Sequence, residues 1–271
     1  MSRITAIRRN IADYGTARDI TTALADINIL KMQSLRRQFE KSVPFYEGIR
    51  KLYGIVQAHR ARTEARGAIK GSRGTELYVA IASNKRFYGS LNKDVVLALL
   101  EKAVGRDAVI IGEMGWEYGG AADMSRSKRL VFAGDVPTSR EVHDLLAYAA
   151  SYERVLVFYP KFVNPFRQDV AVTDIAEMPP LNEAVAEEVG HIFEPEMVEM
   201  LSFFNTEVRR ILFERVILET ELARSAARMR EMRGAEENAG RLLKDERRRL
   251  RHETSLLSGM QLLEVFAGQK I

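Results

Sequence analysis

Apolar residues recur at three- and four-residue steps from the start of the chain: Ile4, Ile7, Ile11 and Tyr14, then Ile20, Leu24 and Ile27. That period belongs to a helix, and so narrow a seam suits one partner helix better than a broad core. A helix is predicted over about 3–58, bent or locally interrupted by Pro44. The stretch EARGAIKGSRGTE, with Gly67, Gly71 and Gly74, reads as a flexible exit.

An alternating pattern follows. ELYVAIA (76–82), AVIIG (108–112) and VLVFY (155–159) are short apolar runs that predict strands. Between the first two, Asn92 caps a helix that buries Val95, Val96, Leu99 and Leu100, ended by Gly105. Thr138 and Glu141 form a capping box for another helix running to about Ala150. Apolar strands alternating with helices imply a parallel sheet covered on both faces. GEMGWEYGGAADMSRSKR, rich in glycine, predicts a mobile loop.

From Glu196 to about Ala267 there is no proline, and the composition is helical throughout, with Gly234, Gly240 and Gly259 costing roughly 1 kcal/mol each. At ~1.5 Å per residue the helix would be about 110 Å long, whereas a domain of this size should be roughly 40 Å across, so a protruding rod is expected. Within it, ARSAARMREMRGAEENAG (223–240) offers only Met229 and Met232 as large apolar groups. A helix so poor in large side chains should find no place in an ordinary core, and its packing partner is an open question.

The fold class expected is α/β: a long antiparallel coiled coil of the N- and C-terminal helices with a central Rossmann-like domain on a parallel sheet. The corresponding segments are 1–60 (first coiled-coil helix), 61–75 (linker), 76–190 (α/β domain) and 191–271 (second coiled-coil helix).

Composition narrows the function. The 271 residues contain no cysteine, which excludes disulfides, thiol catalysis and thiolate metal sites. No apolar run reaches the ~18 residues of a membrane span, and the start lacks a compact apolar signal core. A soluble, cytoplasmic chain is expected. Residues 1–73 hold 15 Lys/Arg against 6 Asp/Glu, giving +9, while the remainder of a chain whose total is +4 carries −5. Such a basic arm suits nucleic acid, acidic lipid or an acidic protein surface, and equally a solvated helix face.

Catalytic motifs are missing. There is no GxxxxGK[ST], and the turn after the first strand, SNKRFYGSLN, contains only Gly89. His59, His143, His191 and His252 are scattered, and no serine lies in GxSxG. Acidic pairs such as Glu236 and Glu237 sit beside arginines on predicted helices, where surface ion pairs explain them. No catalytic residue, cofactor or metal is expected. Trp116 is read as a ring tucked against its own domain, with a partner anchor as the alternative.

Motifs spread along the chain then resemble one family, the γ subunit of F-type ATP synthases, the central rotor shaft. ITTAL (20–24) and KM (31–32) are similar to the family's I-T-x-A-M and K-L/M, with PFYEGIRKL in the place of its proline-containing continuation. IASNKRFYGSLN resembles I-T-S-D-R-G-L-C-G-G-L-N, and YPKFVN (159–164) resembles Y-N-K-F-V-N. FEPE (193–196), ARMREMRGAEENA (227–239) and the terminal LLEVFAG complete the series in the family's order.

The resemblance implies a shaft turning inside a hexamer of α and β subunits, with ε and a membrane c-ring as further partners, on the cytoplasmic side of the bacterial inner membrane. By it, Arg8, Arg9, Leu24, Lys31, Met32, Thr254, Ser255 and Gln261 face the catalytic subunits, and His191, Phe193 and Glu194 meet the ring. The small and charged stretch 223–240 would then keep the shaft from locking to its sleeve. Departures exist. Thr254 and Ser255 stand where the family has Arg-Gln, Gly259 and Gln261 stand where it has Thr and Glu, and Arg86, Phe87 and Tyr88 replace Gly-Leu-Cys. These suggest a divergent branch, such as an alternative sodium-linked ATPase or a repurposed rotary motor. A competing reading from another class is a basic coiled-coil adaptor for nucleic acid or membrane, which accounts for the charge and leaves the ordered motifs unexplained.

Overall fold

The computed structural model describes residues 3–63, 76–119, 126–176 and 197–268. They form α1 (Arg3–Thr63), β1 (Glu76–Ile81), α2 (Leu91–Lys102), β2 (Asp107–Ile111), α3 (Glu113–Gly119), β3 (Ser127–Leu130), α4 (Ser139–Ala149), β4 (Arg154–Asn164), β5 (Arg167–Asp174) and α5 (Met197–Gly268). Two compact units result. One joins Met1–Leu30 with Arg228–Ile271, the other is Lys31–Ala227.

In the second unit the five strands lie in the order β3-β2-β1-β4-β5, the first four parallel and β5 antiparallel to β4. The parallel sheet expected is present in β3, β2, β1 and β4, and β5 adds an antiparallel strand at its edge. The period-2 geometry of a strand sends alternate side chains to opposite faces. Leu77, Val79, Ile81, Val109, Ile111, Val155, Val157 and Tyr159 share a core with α4 (Val142, Leu145), α1 (Tyr53) and α5 (Val208, Leu212, Phe213, Val216). Tyr78, Ala80, Ala108, Ile110 and Phe158 face α2 through Val95, Val96 and Leu99. Both faces are covered, as expected. The terminal helices thus supply part of the core of the sheet domain.

Local chemistry explains the elements. Thr138 Oγ1 accepts from the Glu141 N–H at 3.3 Å while the Glu141 carboxylate accepts from the Thr138 and Ala133 N–H groups at 2.7 Å each, the expected capping box. Those backbone bonds to Thr138 and Ala133 hold the Glu141 carboxyl below the usual range. Asn92 is a correction: it lies inside α2, whose cap position is Ser90, and is buried, accepting from the Ser83 N–H at 3.1 Å and donating to Ser83 Oγ at 2.9 Å. The glycine-rich loop is corrected in part as well, because 113–119 form α3. Gly115 lets that helix touch the sheet, since a Cβ there would stand 2.6 Å from Ala82 Cβ. Trp116 packs half-buried against the Tyr78–Phe158 cluster, so it sits on its own domain. Helix α1 runs through Pro44 as one continuous helix, so the local interruption expected there is absent.

In the first unit the two helices are antiparallel, as the partners show: Arg3 with Glu253 at 3.2 Å, Thr22 with Glu236 at 2.8 Å, Asp26 with Arg233 at 2.9 Å. The bonds from Arg233 and Thr22 depress the Glu236 carboxyl. The seam differs from the one expected. Ile20 and Ile27 are exposed while Leu24 is half-buried, and among the half-buried or buried positions of α1 runs the series Ile4, Ile7, Ile11, Tyr14, Arg18, Thr21, Ala25, Asn28 and onward through Met32, Leu35, Phe39, Ser42, Tyr46, Ile49 and Tyr53. This is an unbroken alternation of three- and four-residue steps, the period that keeps a seam facing a partner helix. Tyr14 to Ile20 is a six-residue step, which takes Ile20 off the seam despite its side chain.

Candidate functional site

No group of three or more His, Asp or Glu side chains is gathered as metal ligands would be among the described residues, and no described helix is long and apolar enough to cross a membrane. The turn after β1, where an α/β sheet would place a cofactor, forms a cleft of about 240 Å³ lined by Arg86, Phe87, Tyr88 and the α3 residues Met114, Glu117 and Tyr118. Phe87 occupies the left-handed region at φ +71°, and Arg86 is turned to Glu117 at 3.4 Å.

The features that stand out are mechanical and lie on α5. In its middle, Leu222, Ala223, Arg224, Ser225, Ala226 and Ala227 are all buried. Ala227 meets Tyr88 and Leu91. Small side chains allow the helix close against its surroundings, so the stretch is packed by virtue of its smallness. This corrects the expectation for 223–240: its first five residues are enclosed within their own chain and offer no surface to a sleeve.

Charges in this middle are also internal. Glu221 accepts from Lys31 Nζ at 2.6 Å and from Arg224 Nη1 at 3.0 Å. Arg209 donates to the Ala149 and Tyr152 carbonyls at 3.0 and 3.2 Å, and burial lowers its pKa. The Arg215 guanidinium lies 3.9 Å from the Tyr46 ring centre and 5.4 Å from that of Phe39. The Tyr159 hydroxyl donates to Glu219 at 3.1 Å.

The C-terminal end is the opposite case. Every side chain from Thr254 to Ala267 is exposed. Among them are Leu256, Leu257, Met260, Leu262, Leu263, Val265 and Phe266, 43% to 70% exposed. At ~100° per residue these seven are spread round the whole helix, with no polar sector wider than about 80°.

The residues singled out from the sequence fall in different places. Arg8 and Arg9 are exposed, Arg9 reaching Asp13 only at 3.9 Å. Leu24 and Met32 are half-buried in the helix pairing. The ammonium of Lys31 is already taken by Glu221. Thr254, Ser255 and Gln261 share the bare end, Thr254 Oγ1 bonding back to the Leu250 carbonyl at 2.8 Å. His191, Phe193 and Glu194 lie outside the described residues. Sequence reasoning missed the Glu221–Arg224 pair and the outward stripe of Ile20, Ile27 and Leu30. A strict heptad count would have found the second, and a charged i,i+3 pair flanked by alanines was the signal for the first.

Comparison with known proteins follows the same lines. The family model described as ATP synthase matches residues 3–253. Similar curated chains include the ATP synthase gamma chain of Stenotrophomonas maltophilia strain K279a, 21% identical over 252 residues and 88% of each chain. That of Xanthomonas axonopodis pv. citri strain 306 is 20% identical with the same coverage. Among solved structures, the rotor of the Euglena gracilis mitochondrial ATP synthase superposes with a TM-score of 0.67 at 15% identity, covering 94% of this chain and 98% of that one. The central stalk and c-ring structure from Tetrahymena thermophila gives 0.58 at 20% identity, covering 80% and 99%. At these identities the solved structures speak for the fold.

Proposed function

We propose, on the premise that this chain belongs to the ATP synthase family as a γ subunit, that it turns as the central-stalk shaft of a rotary ATP synthase or ATPase. Ion flow through a membrane ring would rotate its foot, and the shaft would present a different face to each catalytic subunit in turn, changing that subunit's nucleotide affinity.

The observation that carries this reading is the bare C-terminal end of α5. A helix with one apolar stripe docks in a groove, whereas one that is apolar all round needs a partner on every side. Leu256 to Phe266 therefore fit a sleeve that encloses the helix, as a ring of α and β subunits would. On the same helix Arg241, Lys244, Arg247, Arg248 and Arg251 are exposed and, at ~100° per residue, fall within a sector of about 120°, a basic stripe, while Arg8 and Arg9 are exposed on α1. The stripe suits acidic loops of the β subunits. His191, Phe193 and Glu194 are assigned to the membrane ring by family resemblance, with ε as a further companion. The complex would be peripheral, on the cytoplasmic side of a bacterial inner membrane.

The test is gentle detergent isolation of the tagged chain from its native membranes, with identification of companions and an ATPase assay. Recovery of α, β, ε and ring subunits with ATPase activity is expected. Recovery of nucleic acid, or of no companions, would overturn the shaft reading.

A further inference from the structure

Around Arg224 three parts of the second unit meet in one buried ion cluster. Glu221 of α5, only 2% exposed, holds Lys31 of α1 at 2.6 Å and Arg224 at 3.0 Å. The Arg224 guanidinium, 3% exposed, also donates to the Asp135 carbonyl at 3.2 Å and the Ile81 carbonyl at 3.5 Å. Ile81 ends β1, the middle strand of the sheet, and Asp135 lies between β3 and α4. Asp135 is itself held by Lys85 at 3.5 Å and Tyr88 Oη at 3.1 Å.

Burying such a cluster is an expensive way to hold a helix, because the desolvation of its charges offsets much of their attraction and apolar residues of equal volume would serve stability as well. A core is already present beside it, built on Phe213, Val216 and Ile217. Beside Arg224 on α5 stand Ala223, Ser225, Ala226 and Ala227, whose small side chains raise no ridge. Smooth packing resists separation and yields to sliding along or around the helix axis. Directional bonds to fixed backbone carbonyls resist that motion.

We propose that Arg224, oriented by Glu221 and Lys31, is the staple that carries torque, within the second unit, between α5 and the sheet. The inference rests on the rotor reading above. Arg224 acts here as a positioning residue, at a distance from any nucleotide.

The test uses the assembled membrane complex carrying Arg224→Lys, which keeps the charge and loses the planar fork, or Glu221→Gln, which keeps the shape and weakens the hold on Arg224. Arg36→Met, breaking a surface pair with Glu40, is the control. ATP hydrolysis and ions moved per ATP are read while the opposing ion gradient is raised. With no gradient the variants should match the parent complex. Under load, ions moved per ATP should fall by about threefold in Arg224→Lys and less in Glu221→Gln, a coupling loss of ordinary size, with the control unchanged. Should Arg224→Lys fail to assemble, Glu221→Gln decides. Pumping equal to the parent's at every gradient overturns the staple, as does a proportional fall of hydrolysis and pumping without load, which marks a merely structural role. A parent complex that hydrolyses ATP and moves no ions defeats the rotor reading itself.

Discussion

Residues Leu222–Ala227 and Leu256–Phe266 belong to one helix and reverse the usual relation between polarity and burial. The first stretch reads Leu, Ala, Arg, Ser, Ala, Ala and is wholly buried. The second holds seven large apolar residues, all exposed. The difference teaches that burial depends on what can be brought to a helix. Alanines admit a sheet domain and its carbonyls to close range. Large side chains pointing in every direction find no cover within the described chain.

The widest separation between the two regions should come from paired truncations. Phe213→Ala empties a fully buried site earlier on the same helix and should cost the isolated chain about 3–5 kcal/mol in urea unfolding. Phe266→Ala, 66% exposed, should stay within ~0.5 kcal/mol of the parent, while less of the chain co-purifies with its companions. Equal destabilisation by the two would erase the contrast. Next in size, Ala227→Leu enlarges a side chain against Tyr88 and Leu91 and should cost about 1–3 kcal/mol by overpacking. A stabilised Ala227→Leu chain would mean the alanines leave room, and the account of close approach would fall.

The smallest effect is confined to alkaline pH. Burial pushes the Tyr159 phenol up to about 12 from an ordinary 10, and its hydroxyl is tied to Glu219 of α5. The folded state keeps this proton where the unfolded state has lost it. Its contribution to stability is therefore complete below about pH 10 and disappears as the pH rises toward 12. Tyr159→Phe should make unfolding less steep in that window, by denaturation measured across it. An unchanged slope would show that the phenol is not held between strand and helix.

How legible this was in the sequence follows from the same contrast. β1, β2 and β4 were readable because central strands are covered on both faces and become continuous apolar runs. β3 (SKRL) and β5 (RQDVAVTD) were not, because edge strands carry polar residues that imitate loops. The Thr138–Glu141 box was visible in its spacing. The α1 seam was half visible: isoleucine marked it at Ile4, Ile7 and Ile11, but its middle is Arg18, Thr21, Ala25 and Asn28, where side-chain type points elsewhere and only the period remains. Of the candidate site, the bare end was read as the top of the shaft from motif order. Glu221 and Arg224 went unread, since an i,i+3 charged pair on a helix is ordinarily a solvated one.

Trp116, the single tryptophan, rests half-buried on the Tyr78–Phe158 cluster of the α/β domain. Indole fluorescence from this chain is thus a spectroscopic channel for that domain alone. A change in its colour or lifetime is an optical gauge of strain arriving at the sheet.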